Sequence, residues 1–442
     1  MKKNDIHFRI PQRLHQQMLD DLRRPHPFAF ERVGFLYTTS VEMPDKTILI
    51  IATEYTPVED THYINDYSVG AKINSDAIRT AMQRSLKNQT GCFHVHIHDH
   101  RGIPTPSRTD IKSLSGVVES LSNVAPNEAN GYLILSRDSF YAAVKVKGIV
   151  SLQMPKIISA IGKPMLFSFE NTYLPVKAIY NRQSFLGPAS PLIFDTIKVG
   201  IVGYGGGGSH IGQLLAHIGI KNIVVFDGDI VEETNLNRLI GAWPPDAVNK
   251  AAKTKIAKRT IKKINPKANV VICSERWQQR PELIHSCDVM FGGVDSYGER
   301  DQLEAECRRY LIPLLDIGMD VHQSEDSPFS MSGQVILSMP GSACMRCFQF
   351  LTEKKLALEA AKYGKVGGRP QVVWPNGVLA STAVGLFVNL VTNWAEDQTG
   401  PAYLEYDGNT GLIREHIRAS FTKGDCSHYP LEAVGKPKFI AL

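Results

Sequence analysis

Residues 92–110 read CFHVHIHDHRGIPTPSRTD, with histidines at 94, 96, 98 and 100 followed by a serine and an aspartate. Alternate side chains of a strand share one face, so two of His94, His96 and His98 can hold one metal ion. Asp110, opening an expected helix, can supply a third ligand, and a tetrahedral site keeps its fourth position for water. A second set of residues suits phosphate chemistry. In VGIVGYGGGGSHIG an apolar strand runs into Gly203, Gly205, Gly206 and Gly208. Such glycines let the backbone turn sharply and approach a phosphate, while the next helix presents free N–H groups to its charge. Asp227, after the next apolar run, lies where an acid could hold a ribose, and a nicotinamide oxidoreductase would share both features. Finally, Cys344 and Cys347 stand at the spacing of half a zinc site, and Cys426 with His428 could complete a Cys₃His tetrahedron.

The elements that must position these residues change character along the chain. Around the histidines, short alternating or β-branched runs at 46–52, 91–98, 132–135 and 141–146 are joined by helical patterns at 75–86 and 109–122, the pattern of a small α+β domain. From Lys198 the order becomes strand, glycine turn, helix, strand, and it continues through VVICSE, DVMFGGVD and a helix over 298–310. That alternation predicts a parallel, doubly wound sheet. The expected organisation is therefore an α/β chain: an α+β domain over 1–163, a Pro-rich connector over 164–196, and a doubly wound Rossmann-like domain over 197–442.

The glycine loop continues into DGDIVEETNLNRL, then Lys253, the pair Asn265–Pro266, and VDSYGER. Over about residues 178–430 this order resembles the ThiF/MoeB/HesA superfamily of ubiquitin-activating-type adenylyltransferases, with Leu239 where the family usually has glutamine. The resemblance implies ATP and magnesium as cofactors and adenylation of the C-terminal glycine of a ubiquitin-like protein. It further implies that Asp227 holds the ribose, Arg238, Lys253 and Asn235 face the phosphates, Asp295 holds magnesium, and Asp229 belongs to the same loop. Each of these residues taken alone has a plainer reading: Asp229 as a turn cap, Arg238 as a surface ion pair, Lys253 as one of several lysines on a solvated helix face. YNRQSFLG looks like the family element whose arginine, here Arg182, reaches into a partner subunit, which implies a homodimer. No cysteine lies between Phe348 and Trp374, where thioester-forming members carry one, and Cys273, Cys287 and Cys307 read as buried thiols. The expected acceptor is an amine, a sulfur donor or a conjugating enzyme's cysteine.

The histidine segment, with FERVGFLY upstream, resembles the JAB/JAMM (MPN-type) zinc metallopeptidases. There Glu31 would be the general base and Ser107 would stabilise the oxyanion. His96 and His98 leave eight residues before Ser107, and His94 with His96 leave ten, against the family's seven. The preferred ligands are His96, His98 and Asp110. The two resemblances together imply processing and activation of one modifier, in a bacterial ubiquitin-like pathway such as antiviral defence by analogy alone. The alternatives are a sulfur-carrier activator for cofactor biosynthesis, and an adenylyltransferase whose JAB domain only recruits substrate.

Composition narrows the remaining classes. A net charge of +5 with basic and acidic residues interspersed gives no case for nucleic acid. The start MKKNDIHFRIPQ is too polar for a signal peptide, and Val378–Val391 reads as a packed helix rather than a membrane span. Seven cysteines without a secretory signal argue against a disulfide framework. A cytoplasmic protein is expected.

Overall fold

The computed structural model describes residues 5–25, 30–66, 68–171, 173–323, 328–361, 370–396, 402–422, 426 and 428–430. The last stretch of the expected second domain, 431–442, lies outside the described residues. The chain divides between Thr172 and Tyr173 into two compact units.

The first unit is one mixed sheet. Its strands are β1 (Ile6–Pro11), β2 (Val33–Glu42), β3 (Ile48–Pro57), β4 (Gly91–Ile97), β5 (Asn130–Leu135), β6 (Phe140–Lys145), β7 (Ile157–Ile161) and β8 (Leu166–Phe169), in the order β6-β5-β4-β2-β3-β1-β7-β8. Helix α1 (Gln12–Leu22) covers one face, where Leu14 and Met18 join a core with Phe8, Phe93 and Val95. Helices α2 (Ser75–Asn88) and α3 (Arg108–Val124) lie on the other, where Ala77, Ala81 and Leu121 pack with Phe35 and Cys92. Neighbouring residues of β4 thus serve opposite faces, as strand alternation requires, and the even-numbered histidines share the α2/α3 side. The connector expected from residue 164 begins later. Strand β8 pairs antiparallel with β7, Phe169 opposite Ile157, so its backbone groups and apolar side chains belong to the first sheet.

A buried histidine makes this unit sensitive to acid. His15 packs edge-on against Phe140 at 5.0 Å, and burial, with Arg23 adding to it, lowers its pKa from 6.5 to about 4. The folded state then binds its proton less readily than the unfolded chain, so its stability contribution is complete above pH 6.5 and is lost as the pH falls toward 4. His15→Gln is expected to remove about 2 kcal/mol of the stability lost between pH 7.5 and 5. Denaturant midpoints of both proteins at the two pH values measure it; an equal loss in both would show that this histidine is not responsible.

The second unit opens with a 3₁₀ segment, Ala178–Leu186, and α4 (Ser190–Thr196). Its strands are β9 (Lys198–Val202), β10 (Asn222–Phe226), β11 (Asn269–Cys273), β12 (Val289–Gly292), β13 (Leu314–His322), β14 (Ser330–Ser338), β15 (Tyr403–Asp407) and β16 (Leu412–Glu415). They run in the order β11-β10-β9-β12-β13-β14-β15-β16. The first five are parallel as the alternation predicts; β13 to β16 pair antiparallel and extend the sheet. The order reverses between β9 and β12, which opens a crevice at the carboxyl ends of these strands.

The remaining helices are α5 (Gly206–Ile218), α6 (Pro244–Val248), α7 (Lys253–Ile264), α8 (Pro281–His285), α9 (Tyr297–Arg309), α10 (Glu353–Ala361), α11 (Val373–Thr392) and α12 (Ile417–Phe421). Among the described residues α11 alone is long and apolar enough to cross a membrane. Its Leu379, Ala383 and Phe387 are buried, and Phe387 packs on Phe291 at 5.5 Å, so the core of the unit accounts for its apolarity. Cys273, Cys287 and Cys307 are buried.

Candidate functional site

In the first unit, antiparallel pairing sets Val33 of β2 opposite His96 and Phe35 opposite His94. Glu31, two residues before Val33, therefore falls on the His98 side of the same face. The His94 ring lies 5.9 Å from Phe35, and burial, reinforced by His96, lowers its pKa to about 3, so it is a neutral core histidine. His96 and His98 bring their Nε2 atoms to 3.2 Å, and each lies 3.5 Å from an Asp110 carboxylate oxygen. Four ligands around one zinc sit about 3.3 Å apart when the bonds are about 2.0 Å, so these three fit one ion. Glu31 comes within 4.8 Å of both histidines. Its carboxylate is held close over Gly70, where a Cβ would meet Oε2 at 2.5 Å.

Ser107 caps α3, its Oγ accepting from Asp110 N–H at 3.1 Å while Asp110 Oδ2 accepts from Ser107 N–H at 2.7 Å. This reciprocal cap points Asp110 at the histidines. Burial alone would raise the Asp110 carboxyl, but His96, His98 and Ser107 together hold it well below the usual range. Hydrogen bonding to Asp110 in turn raises His98 against partial burial, with Glu31 adding to it.

In the second unit the glycine loop crosses the crevice. Gly203 adopts φ +87°, and a Cβ there would meet the Gly293 carbonyl oxygen at 2.6 Å. At Gly208 a Cβ would lie 1.9 Å from the Gly203 carbonyl oxygen, and backbone cannot move aside as a side chain can. Gly208→Ala should cost about 3 kcal/mol or more by overpacking, whereas Gly205, with nothing within 4 Å of its Cβ position, tolerates alanine; denaturant midpoints separate the two. Gly206 abuts Asn376 of α11, which bonds back to Val372 O at 2.8 Å. Helix α5 starts without a side-chain cap, which leaves its first N–H groups for an external anion.

Asp227 Oδ2 accepts from Tyr204 N–H at 2.6 Å and Oδ1 from Asp229 N–H at 2.8 Å, which ties the acid to the loop. Burial raises its pKa while Lys253 and these N–H groups oppose the rise. Lys253 Nζ pairs with Asp229 Oδ2 at 2.8 Å. Arg238 lies folded on its own turn, donating to Thr234 O at 2.7 Å and Asn237 Oδ1 at 3.0 Å, and must swing out to meet a phosphate. Asn235 commits Oδ1 to Glu232 N–H at 3.0 Å and is buried, so it shapes the turn. Asp295 is exposed, its Oδ1 accepting from Gln371 Nε2 at 3.4 Å, while Gln371 O accepts from Asn237 Nδ2 at 3.3 Å. One open carboxylate suits magnesium, which takes one or two carboxylates and draws its other ligands from phosphates and water. Arg182 is exposed on the 3₁₀ segment.

The four sulfur and nitrogen ligand atoms of the cysteine cluster also converge. Cys344 Sγ, Cys347 Sγ and His428 Nδ1 lie 3.4–3.5 Å apart, and Cys426 Sγ is 3.8 Å from Cys347 Sγ and 4.0 Å from His428 Nδ1. A Cys₃His zinc requires edges of about 3.5–3.8 Å, so the set fits.

The ThiF family model matches residues 180–428. The chain belongs to the ThiF family. This ThiF-family chain is 32% identical over 166 residues to ubiquitin-like modifier-activating enzyme 5 of Dictyostelium discoideum, covering 34% of itself and 41% of that protein. It is 27% identical to the SAMP-activating enzyme E1 of Haloferax volcanii, over 47% of itself and 74% of that protein. It is 31% identical to the molybdopterin-synthase adenylyltransferase of Haemophilus influenzae, over 31% of itself and 57% of that protein. The crystal structure of E. coli MccB with AMPCPP and MccA aligns at a TM-score of 0.47 and 19% identity, over 58% of this chain and 74% of that one. The family match begins after the first unit ends.

Three residues beside these candidate side chains escape sequence reasoning. Gln371 and Asn376 are supplied by a segment far along the chain. Glu299 lies inside the quoted VDSYGER, and burial raises its carboxyl against Arg276 and Trp277, with Asp227 and Asp295 adding to the rise. An ionisable residue in that element was the available signal.

Proposed function

We propose that the second unit adenylates the C-terminal carboxylate of a ubiquitin-like or sulfur-carrier protein. The observation that carries this is the linkage of the uncapped α5 N-terminus, through Tyr204 and Asp227, to Asp229 and Lys253 beside it. The relatives activate a ubiquitin-like modifier or SAMP, or adenylate for molybdopterin synthase, as their names state. A carboxylate oxygen attacks the α-phosphorus of ATP, the bond to pyrophosphate breaks, and an acyl-AMP forms. Asp227 holds the ribose hydroxyls, the α5 amides face the phosphates, and Arg238 and Lys253 meet the charge that grows in the transition state. Asp295 would hold magnesium, which would supply positive charge beside the departing pyrophosphate. The released acyl group goes to an amine, a sulfur donor or a conjugating enzyme's cysteine. Exposed Tyr173, Ile179 and Phe185 around Arg182 support a homodimer through this segment. The cysteine cluster is assigned a structural zinc.

For the first unit we propose a zinc peptidase acting after the same C-terminal glycine. His96, His98 and Asp110 would hold zinc, which would supply Lewis acidity there; Glu31 takes the proton of the attacking water and returns it to the leaving amine. The test is ATP–pyrophosphate exchange by the full chain with a matured ubiquitin-like partner ending in glycine. Exchange that depends on the free glycine carboxylate supports adenylation, and no exchange with a matured partner rejects it. Sulfur transfer to the activated tail without a conjugating enzyme would favour the sulfur-carrier form.

A further inference from the structure

We propose that Glu359, on α10, is a positioning residue for Asp295, acting through the first turn of α9; this rests on the adenylation reading. Asp295 immediately precedes Ser296, the N-cap of α9. The Glu359 carboxylate accepts from Ser296 Oγ at 3.0 Å, Tyr297 N–H at 3.0 Å and Gly298 N–H at 2.9 Å. Ser296 Oγ accepts in addition from Glu299 N–H at 3.2 Å. The first amides of α9 are thus satisfied from within the chain, in contrast to those of α5, and a carboxylate at this end of a helix is stabilised by its dipole. From the other side Arg300 donates to Val294 O through Nε at 3.0 Å and Nη2 at 2.6 Å. The turn 294–298 is therefore clasped between Arg300 and Glu359, with the Asp295 side chain left exposed.

Helix α10 has no buried residue, so burial does not explain where it sits. Charges hold it. Lys355 Nζ lies 5.1 Å from the Tyr297 ring centre and 5.0 Å from that of Phe350, and donates to Phe350 O at 2.8 Å. Glu353 pairs with Arg346, which forks onto Asp301 of α9 with two contacts of 2.8 Å. Given those anchors, the three bonds of Glu359 serve the turn beside Asp295. A turn held rigid keeps that carboxylate aimed at a cation instead of sampling other directions.

The experiment measures ATP binding to the full-length protein by calorimetry as magnesium is varied. Glu359→Ala is expected to raise the magnesium needed for half-maximal ATP binding roughly fivefold, the equivalent of one good hydrogen bond, with binding at saturating magnesium preserved. Glu359→Gln, which keeps an acceptor oxygen, should recover most of the wild-type value. Glu353→Ala, which removes an exposed partner of Arg346 while Arg346 stays forked onto Asp301, should leave it unchanged. Thermal melts confirm that each variant is folded. An unshifted magnesium dependence in Glu359→Ala, or an equal shift in Glu353→Ala, overturns the proposal. Wild-type protein that binds no magnesium-ATP would instead reject the adenylation reading, and this role with it.

Discussion

Arg238→Ala is expected to reduce ATP–pyrophosphate exchange by about 10²- to 10³-fold, and Asp295→Ala by a similar factor, with the fold intact. Both expectations follow from where these side chains lie. Among the described residues Arg238 bonds only locally, to Thr234 O and Asn237 Oδ1, and Asp295 is exposed, so removing either costs at most about 0.5 kcal/mol of stability. Their effect on the reaction is larger because charge moves from the α-phosphorus to pyrophosphate as the bond breaks. An arginine that swings from its turn to the departing pyrophosphate stabilises that charge. Arg238→Lys should recover part of the rate, since it restores the charge but not the planar fork. Exchange within about threefold of wild type in Arg238→Ala, measured beside unchanged melting, would remove this arginine from the mechanism.

The second large effect concerns the first unit. On the zinc-peptidase reading, wild-type protein should carry two zinc ions per chain, and Asp110→Asn one, because the cysteine cluster is independent of it. Glu31→Gln should keep both ions yet cleave a precursor extended beyond the terminal glycine about 10²- to 10⁴-fold more slowly, the range for a lost general base. Its carboxylate sits close over Gly70, and an isosteric amide fits the same space. Metal analysis together with a cleavage assay separates the outcomes. Cleavage at the wild-type rate in Glu31→Gln would place the base elsewhere. Wild-type protein with zinc only at the cysteine cluster, and no cleavage, would leave a recruitment role.

Much of this was legible in local pattern. The run VGIVGYGGGGSHIG announces a strand, a turn and a helix because apolar period and glycine placement are read within a few residues. Asp110 likewise announces the start of α3, though not the Ser107 cap that opens it. Boundaries and extensions were harder. Strand β8 hides in a Pro-containing stretch because only pairing with β7 makes LFSF a strand, and the antiparallel continuation from β14 to β16 depends on partners distant in sequence.

By itself, then, the amino-acid sequence determined the residue types available to each site and the elements that carry them: glycines before α5, acids after β10, histidines on alternate positions of β4. The tertiary structure alone decided which of them meet. The pairing of β2 with β4 sends His94 against Phe35 and leaves His96 and His98 to Asp110, a choice that spacing leaves open because every second residue of a strand faces the same way. Likewise Asn376, Gln371 and Glu359 reach the crevice from segments about 60 to 170 residues beyond the elements they touch. No local period encodes such contacts, since they arise only when helices pack onto a finished sheet.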